Sequence, residues 1–138
     1  MKATRTTSVR LSVQSLEDRA VPASLVINPP ILVPHVTATM NYGVLQITGT
    51  EQADKILVRQ AGGQITVSGV PGLFAVSQIQ RIEVSGLGGN DIIRLDSELL
   101  GGQPIYKPSI LSGGTGNDVI IGGWGNDILL GNAGDDAL

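Results

Sequence analysis

The sequence predicts an all-β chain whose C-terminal part winds as a repetitive coil of short strands. Three observations carry this. Residues 113–138 fall into a nine-residue repeat that begins at Gly113, Gly122 and Gly131. Residues 36–85 hold several short β-favouring runs separated by turn signals. After residue 24, no stretch combines a helical apolar period with capping residues.

Residues 1–35 stand apart from the rest. Lys2, Arg5 and Arg10 make the start basic, yet no apolar run follows that would complete an ordinary secretory signal. No segment reaches the apolar length of a transmembrane helix. The stretch Leu16-Glu17-Asp18-Arg19, followed by Pro22, resembles the N-terminal leader found on many surface and extracellular proteins of planctomycete bacteria. That resemblance implies an extracellular or cell-surface destination; read without it, the segment is a disordered or short amphipathic start. Pro29, Pro30 and Pro34 make residues 24–35 an extended linker in which helix is disfavoured.

From residue 36 onward the pattern is that of short strands and hairpins. Val44–Thr48, Ile56–Arg59, Gln64–Val67 and Ile79–Val84 are β-favouring, and several alternate apolar with polar residues as a half-buried strand does. Gly62-Gly63 and Pro71-Gly72 supply turns between them. Gly49 to Leu57 loosely mimics the nonapeptide, with Asp54 in sixth place, but it lies 37 residues before Gly86 and out of the nine-residue register. Asp54 therefore reads as a structural residue. Gly86 to Arg94 is a closer copy, three nine-residue periods before Gly113, with Asp91 sixth and Ile93 eighth. Asp91 is either a ligand of the same kind as the later aspartates or an ordinary turn residue ahead of a strand. The units between, 95–103 and 104–112, lack a sixth-position acid and continue the coil without a full site. The organisation expected is 1–35 leader and linker, 36–112 β-rich region, and 113–138 nonapeptide repeats.

Each full repeat carries glycine at positions one, two and four, Asp at six and an aliphatic residue at eight, with Asn132 replacing the second glycine of the last unit. Glycine and asparagine accept positive φ at low cost, so the first six residues turn. Val119-Ile120-Ile121 and Ile128-Leu129-Leu130 then favour short strands. If each nonapeptide is half a coil, Asp118 stacks on Asp136 and Asp127 lies on the opposite side. Stacked carboxylates repel one another unless a cation lies between them. Ca²⁺ suits such a place because it takes six to eight oxygen ligands in flexible geometry, backbone carbonyls included. From Ser112 to Leu138 there are four Asp and no Lys or Arg, in keeping with a cation.

The motif Gly-Gly-x-Gly-x-Asp-x-aliphatic-x resembles the RTX, or hemolysin-type, calcium-binding repeat, the reading attached to this nonapeptide pattern in general. The resemblance implies a parallel β-roll that binds Ca²⁺ through sixth-position carboxylates and carbonyls of the glycine turns. On this chain it implies Asp118, Asp127 and Asp136 as carboxylate ligands. The turns would be Gly113, Gly114 and Gly116, then Gly122, Gly123 and Gly125, then Gly131 and Gly134. Asp91 joins them through the degenerate copy, and Ile120, Leu129 and Leu138 would point into the roll. Only three repeats are present, and the third lacks its second glycine and ninth residue. The competing reading of such a tail, a flexible low-complexity linker, does not account for Asp at 118, 127 and 136 with an aliphatic residue two places after each.

Composition narrows the remaining functions. With 19 Gly and only four aromatic rings (Tyr42, Phe74, Tyr106 and Trp124) among 138 residues, the core is thin, and a bound metal can decide whether the coil is folded. No Cys is present, which excludes disulfides and thiolate metal sites. A formal net charge of −3 without a basic cluster outside the leader argues against nucleic acid. His35 is the single histidine, so neither a His-Glu-x-x-His helix nor a Ser-His-Asp set can be assembled, and no enzyme is expected. Asp96 and Glu98 form either a solvated turn or extra oxygen ligands near 113–118. Trp124 is expected to be exposed. Two functions follow: a secreted or cell-surface structural module stabilised by calcium, whose protein partner would be further repeats of a longer chain, or the targeting and stalk portion of a larger enzyme or adhesin.

Overall fold

The computed structural model describes residues 35–138, all within a unit spanning Pro34–Leu138. The leader motif and most of the Pro-rich linker lie outside the described residues. Ten strands follow in order: β1 Thr37–Asn41, β2 Val44–Thr48, β3 Lys55–Ala61, β4 Gln64–Val67, β5 Val70–Ala75, β6 Arg81–Gly88, β7 Ile92–Arg94, β8 Ser109–Thr115, β9 Val119–Ile121 and β10 Asp127–Ala133. Two short 3-10 turns, Val76–Gln78 and Ser97–Leu100, are the helical pieces among the described residues. The fold is all-β, as the turn and alternation signals predict. No helix among the described residues is long and apolar enough to cross a membrane.

The strands form two five-stranded sheets, ordered β1-β2-β6-β8-β10 and β5-β4-β3-β7-β9. Both are mixed. β2, β6, β8 and β10 run parallel in the first, and β3, β7 and β9 in the second. The hairpins β1–β2 and β3–β4–β5 add antiparallel strands at one edge of each. The turn Tyr42-Gly43 closes β1–β2 with φ of 46° and 83°, a left-handed pair suited to a tight hairpin.

Parallel pairing stacks the aliphatic positions in columns. Ile56, Ile93 and Ile120 align across β3, β7 and β9, and Ile47, Val84 and Leu111 across β2, β6 and β8. All six are buried, and side chains from both sheets meet in one cluster. Each aliphatic side chain so buried contributes about 1.5–3 kcal/mol relative to exposure. The eighth-position rule holds for Ile120, which is buried, and for Leu129, which packs partly buried against the cluster. Leu138 departs from it at 64 % exposure, because it follows Ala137, whose bridge to Val119 is the outermost pairing on that side.

Candidate metal centre

Segments 49–54, 86–91, 113–118 and 131–136 lie in one column; the last three begin inside β6, β8 and β10, so their first three residues are strand rather than the turn that glycine and asparagine predict, and the chain turns only after them. Their sixth-position aspartates are linked by backbone hydrogen bonds. The Asp54 N–H donates to Asp91 Oδ1 at 2.8 Å, the Asp91 N–H to Asp118 Oδ1 at 2.8 Å, and the Asp118 N–H to Asp136 Oδ1 at 2.9 Å. A second ladder runs the other way beside it: the Asn117 N–H donates to Asn90 Oδ1 at 2.9 Å and the Asp135 N–H to Asn117 Oδ1 at 3.1 Å. Fifth- and sixth-position side chains thus clamp each turn to both neighbours. The three bonds to carboxylates, being charge-assisted, are worth about 1.5–3 kcal/mol each, and the two to asparagine amides about 0.5–1.5 kcal/mol each.

This column corrects two sequence expectations. Asp54 is not out of register: 37 residues separate it from Asp91, and the hydrogen bond joins them directly. The additional chain is taken up by the β4–β5 hairpin, away from the turn column. Nor do units 95–103 and 104–112 continue the coil between Asp91 and the repeats. Asp91 sits one coil from Asp118 across 27 residues, because the stretch between β7 and β8 contains the Ser97–Leu100 turn and a long loop rather than two nonapeptide half-coils. Between Asp118 and Asp136 the separation is 18 residues, the spacing that half-coil nonapeptides require.

Asp127 lies apart, at the start of β10 and opposite Ser109 in β8. The Ser109 hydroxyl donates to its Oδ1 at 2.7 Å, and the Gly123 N–H donates to its Oδ2 at 2.8 Å, so both oxygens are engaged. Asp96 pairs with Arg94, and Glu98 accepts the indole N–H of Trp124 through Oε2 while its Oε1 is buried without a hydrogen-bond partner. Trp124 is exposed and meets Tyr106 edge to face, ring centroids 5.9 Å apart.

Several positions in these turns leave no room for a side chain. A Cβ on Gly86, Gly113 or Gly131 would collide with the carboxylate of its own repeat, Asp91, Asp118 or Asp136. One on Gly114, Gly116 or Gly134 would strike the carbonyl oxygen of Leu87, Gly89 or Gly116 in the preceding coil. Carbonyl and carboxylate oxygens therefore crowd the narrow space between turns. On the opposite side Gly123 and Gly125 face the carbonyls of Ile105 and Lys107, while Gly122 faces Asp127.

Asp91 and Asp118 are each only 1 % exposed, and Oδ2 of each has no hydrogen-bond partner. An unpartnered buried charged oxygen is costly, by more than the roughly 1–3 kcal/mol of a neutral group. Burial pushes the Asp91 carboxyl above its ordinary value; the hydrogen bond from Asp54 opposes this, and the nearby charges of Asp118 and Asp54 add to it. Among the described residues no three His, Cys, Asp or Glu side chains converge. A cation held here would draw on one or two carboxylates supplemented by backbone carbonyls, a donor set that suits Ca²⁺ and does not suit a soft metal.

Comparison with known families matches residues 110–138 to the RTX calcium-binding nonapeptide repeat (four copies). No curated protein and no solved structure matches the chain.

Proposed function

From a C-terminal segment made of RTX calcium-binding nonapeptide repeats, residues 110–138, we propose that this chain binds Ca²⁺ between its stacked turns and uses the ion to hold the coil together. The observation that carries this is Asp118 Oδ2, buried within the matched repeats without a partner. In the turn pair 113–118 and 131–136, the Asp118 and Asp136 carboxylates would hold the ion with carbonyls of the glycine turns. The bound cation supplies positive charge where two carboxylates stack. The chain's own residues exclude water and fix the oxygens: glycine lets the turns approach, and the Asp118 N–H orients Asp136.

The parallel pairing of β6, β8 and β10 in one sheet and of β7 and β9 in the other fits a β-roll that calcium would stabilise, with the antiparallel hairpins at its other end. We read the module as structural and non-catalytic. An extracellular or cell-surface location fits the leader resemblance, and it also fits weak sites, about 10⁻⁴ to 10⁻³ M in extracellular modules, that need abundant calcium. Calorimetric titration of the metal-stripped chain tests the central reading. Ca²⁺ should bind and Mg²⁺ should bind more weakly. Asp118→Ala should remove the tightest binding while Asp127→Ala leaves most of it. Equal affinity for both ions, or a larger loss from Asp127→Ala, would overturn the reading.

A further inference from the structure

The sixth-position aspartates occur in two kinds of turn. In 49–54 and 122–127 the second residue donates its own N–H to the carboxylate: Thr50 to Asp54 Oδ2 at 2.6 Å, and Gly123 to Asp127 Oδ2 at 2.8 Å. The Thr50 hydroxyl adds a further bond to Asp54 Oδ2 at 3.0 Å. These turns are closed, each carboxylate answered by its own loop. In 86–91, 113–118 and 131–136 the second residue is instead at positive φ, Leu87 at 83°, Gly114 at 114° and Asn132 at 76°. That backbone form directs the second N–H elsewhere. At Asp91 and Asp118 the result is a buried Oδ2 with no partner.

The open form therefore extends upstream of the matched repeats. Around Gly86 the arrangement is specific: a Cβ there would strike both Asp91 Oδ2 and the Gly113 carbonyl oxygen. Two acceptors face one point, and Asp91 Oδ2 is buried there without a hydrogen-bond partner. A cation at that point would answer the buried oxygen. At the next turn toward the N-terminus the same pair recurs, Asp54 Oδ2 and the Gly86 carbonyl at 2.8 and 2.7 Å from the corresponding point on Gly49. There Thr50 supplies the donors.

We propose that Asp91 and the Gly113 carbonyl form a second Ca²⁺ site, between turns 86–91 and 113–118, and that Thr50 ends the series by closing the turn of Asp54. This rests on the calcium reading above and adds a site across a 27-residue coil, with its carboxylate outside the matched repeats and its carbonyl inside them. Leu87, a non-glycine residue in the left-handed region, is held there by the same turn.

The test is Ca²⁺ stoichiometry by calorimetry on the full chain, wild type beside Asp91→Asn and Asp54→Asn. In Asp91→Asn the amide oxygen still accepts from the Asp54 N–H, and the NH₂ replaces Oδ2 beside the Gly113 carbonyl. The variant should keep its fold and reject the ion. Wild type should bind two Ca²⁺, Asp91→Asn one, and Asp54→Asn two. In metal-free buffer Asp91→Asn should melt no lower than the wild type, whereas loss of a merely structural carboxylate would lower the melting temperature. Wild-type stoichiometry in Asp91→Asn, a loss in Asp54→Asn, or a lower metal-free melting temperature of Asp91→Asn would overturn the second site. Binding of a single ion that Asp118→Ala removes and Asp91→Asn spares would overturn it while leaving the repeat site standing. No binding by the wild type would overturn both.

Discussion

Asp91 shows how one side chain serves two opposed demands. Its Oδ1 orders the neighbouring turn by accepting the Asp54 N–H, while its Oδ2 is buried and unanswered. Without metal, the raised folded-state value means that the native chain holds the Asp91 proton more tightly than the unfolded chain does. That contribution to stability is fully present below the unfolded value and is lost as pH rises through the folded one. Asp91→Asn cannot titrate, so in metal-free buffer its stability relative to wild type should increase from acidic to neutral pH. Urea unfolding at several pH values measures this; a constant difference would contradict it. Glycine acts at the same scale by permitting contact. Gly116 has φ of 127° and would place a Cβ against the Gly89 carbonyl, whereas Gly62 has φ of 56° and open space around it. Gly116→Ala should cost about 1–3 kcal/mol or more through overpacking and strain, and Gly62→Ala about 1 kcal/mol from conformation alone. Equal losses in chemical denaturation would remove the packing argument.

A strand of three residues, β9, holds the second sheet to the repeats, and its central residue decides its worth. Ile120 is fully buried beneath Ile93, while Ile121 is 37 % exposed. Ile120→Ala should cost about 2–5 kcal/mol, the range for deleting buried aliphatic methyl groups, and Ile121→Ala clearly less; comparable unfolding midpoints would mean that β9 is not packed as described. The strands themselves were legible in the sequence. β2, β3 and β4 coincide closely with the β-favouring runs, because alternation and turn glycines are local signals; β6 starts two residues later than its run and continues to Gly88, through glycines that read as a turn. The 18-residue partnership of Asp118 with Asp136 was legible too, since two uninterrupted nonapeptides make one coil. The partnerships of Asp54 with Asp91 and of Asp91 with Asp118 were hidden. Register between parallel strands is set where the strands meet, and chain inserted in a distant turn does not disturb it. A nine-residue count therefore fails as soon as the β4–β5 hairpin or the 95–108 loop enlarges a coil. The donors of Thr50 and Ser109 were also missed, because a hydroxyl in the place of a glycine or an acid carries no signal until its turn is folded.

At the scale of the whole molecule, two kinds of cohesion lie at opposite ends of the sheets. The hairpin end, with β3, β4 and β5, buries Ile56, Val58, Ile65 and Val67 in the common cluster. At the repeat end β10 leaves Ile128 and Leu130 largely exposed and is joined by carboxylate ladders rather than a deep core. Calcium should therefore act unevenly. An ion that binds only the folded chain adds RT ln(1 + [L]/Kd), about 1.4 kcal/mol per site when free calcium is ten times Kd. Two sites would give about twice that, a large share of the ~5–15 kcal/mol typical of a domain. Mg²⁺ at the same concentration should add less, because it demands a tight octahedron and gives up water reluctantly, whereas carbonyl-rich turns offer a loose cage. Amide hydrogen exchange with and without calcium resolves where the gain falls. Protection should rise most at Asp91, Asp118 and the backbone of 113–137, and least at β4 and β5, whose pairing involves no sixth-position aspartate. A uniform rise across both ends would mean that the chain opens as a single unit, and a rise confined to β4 and β5 would place the ion away from the aspartate column.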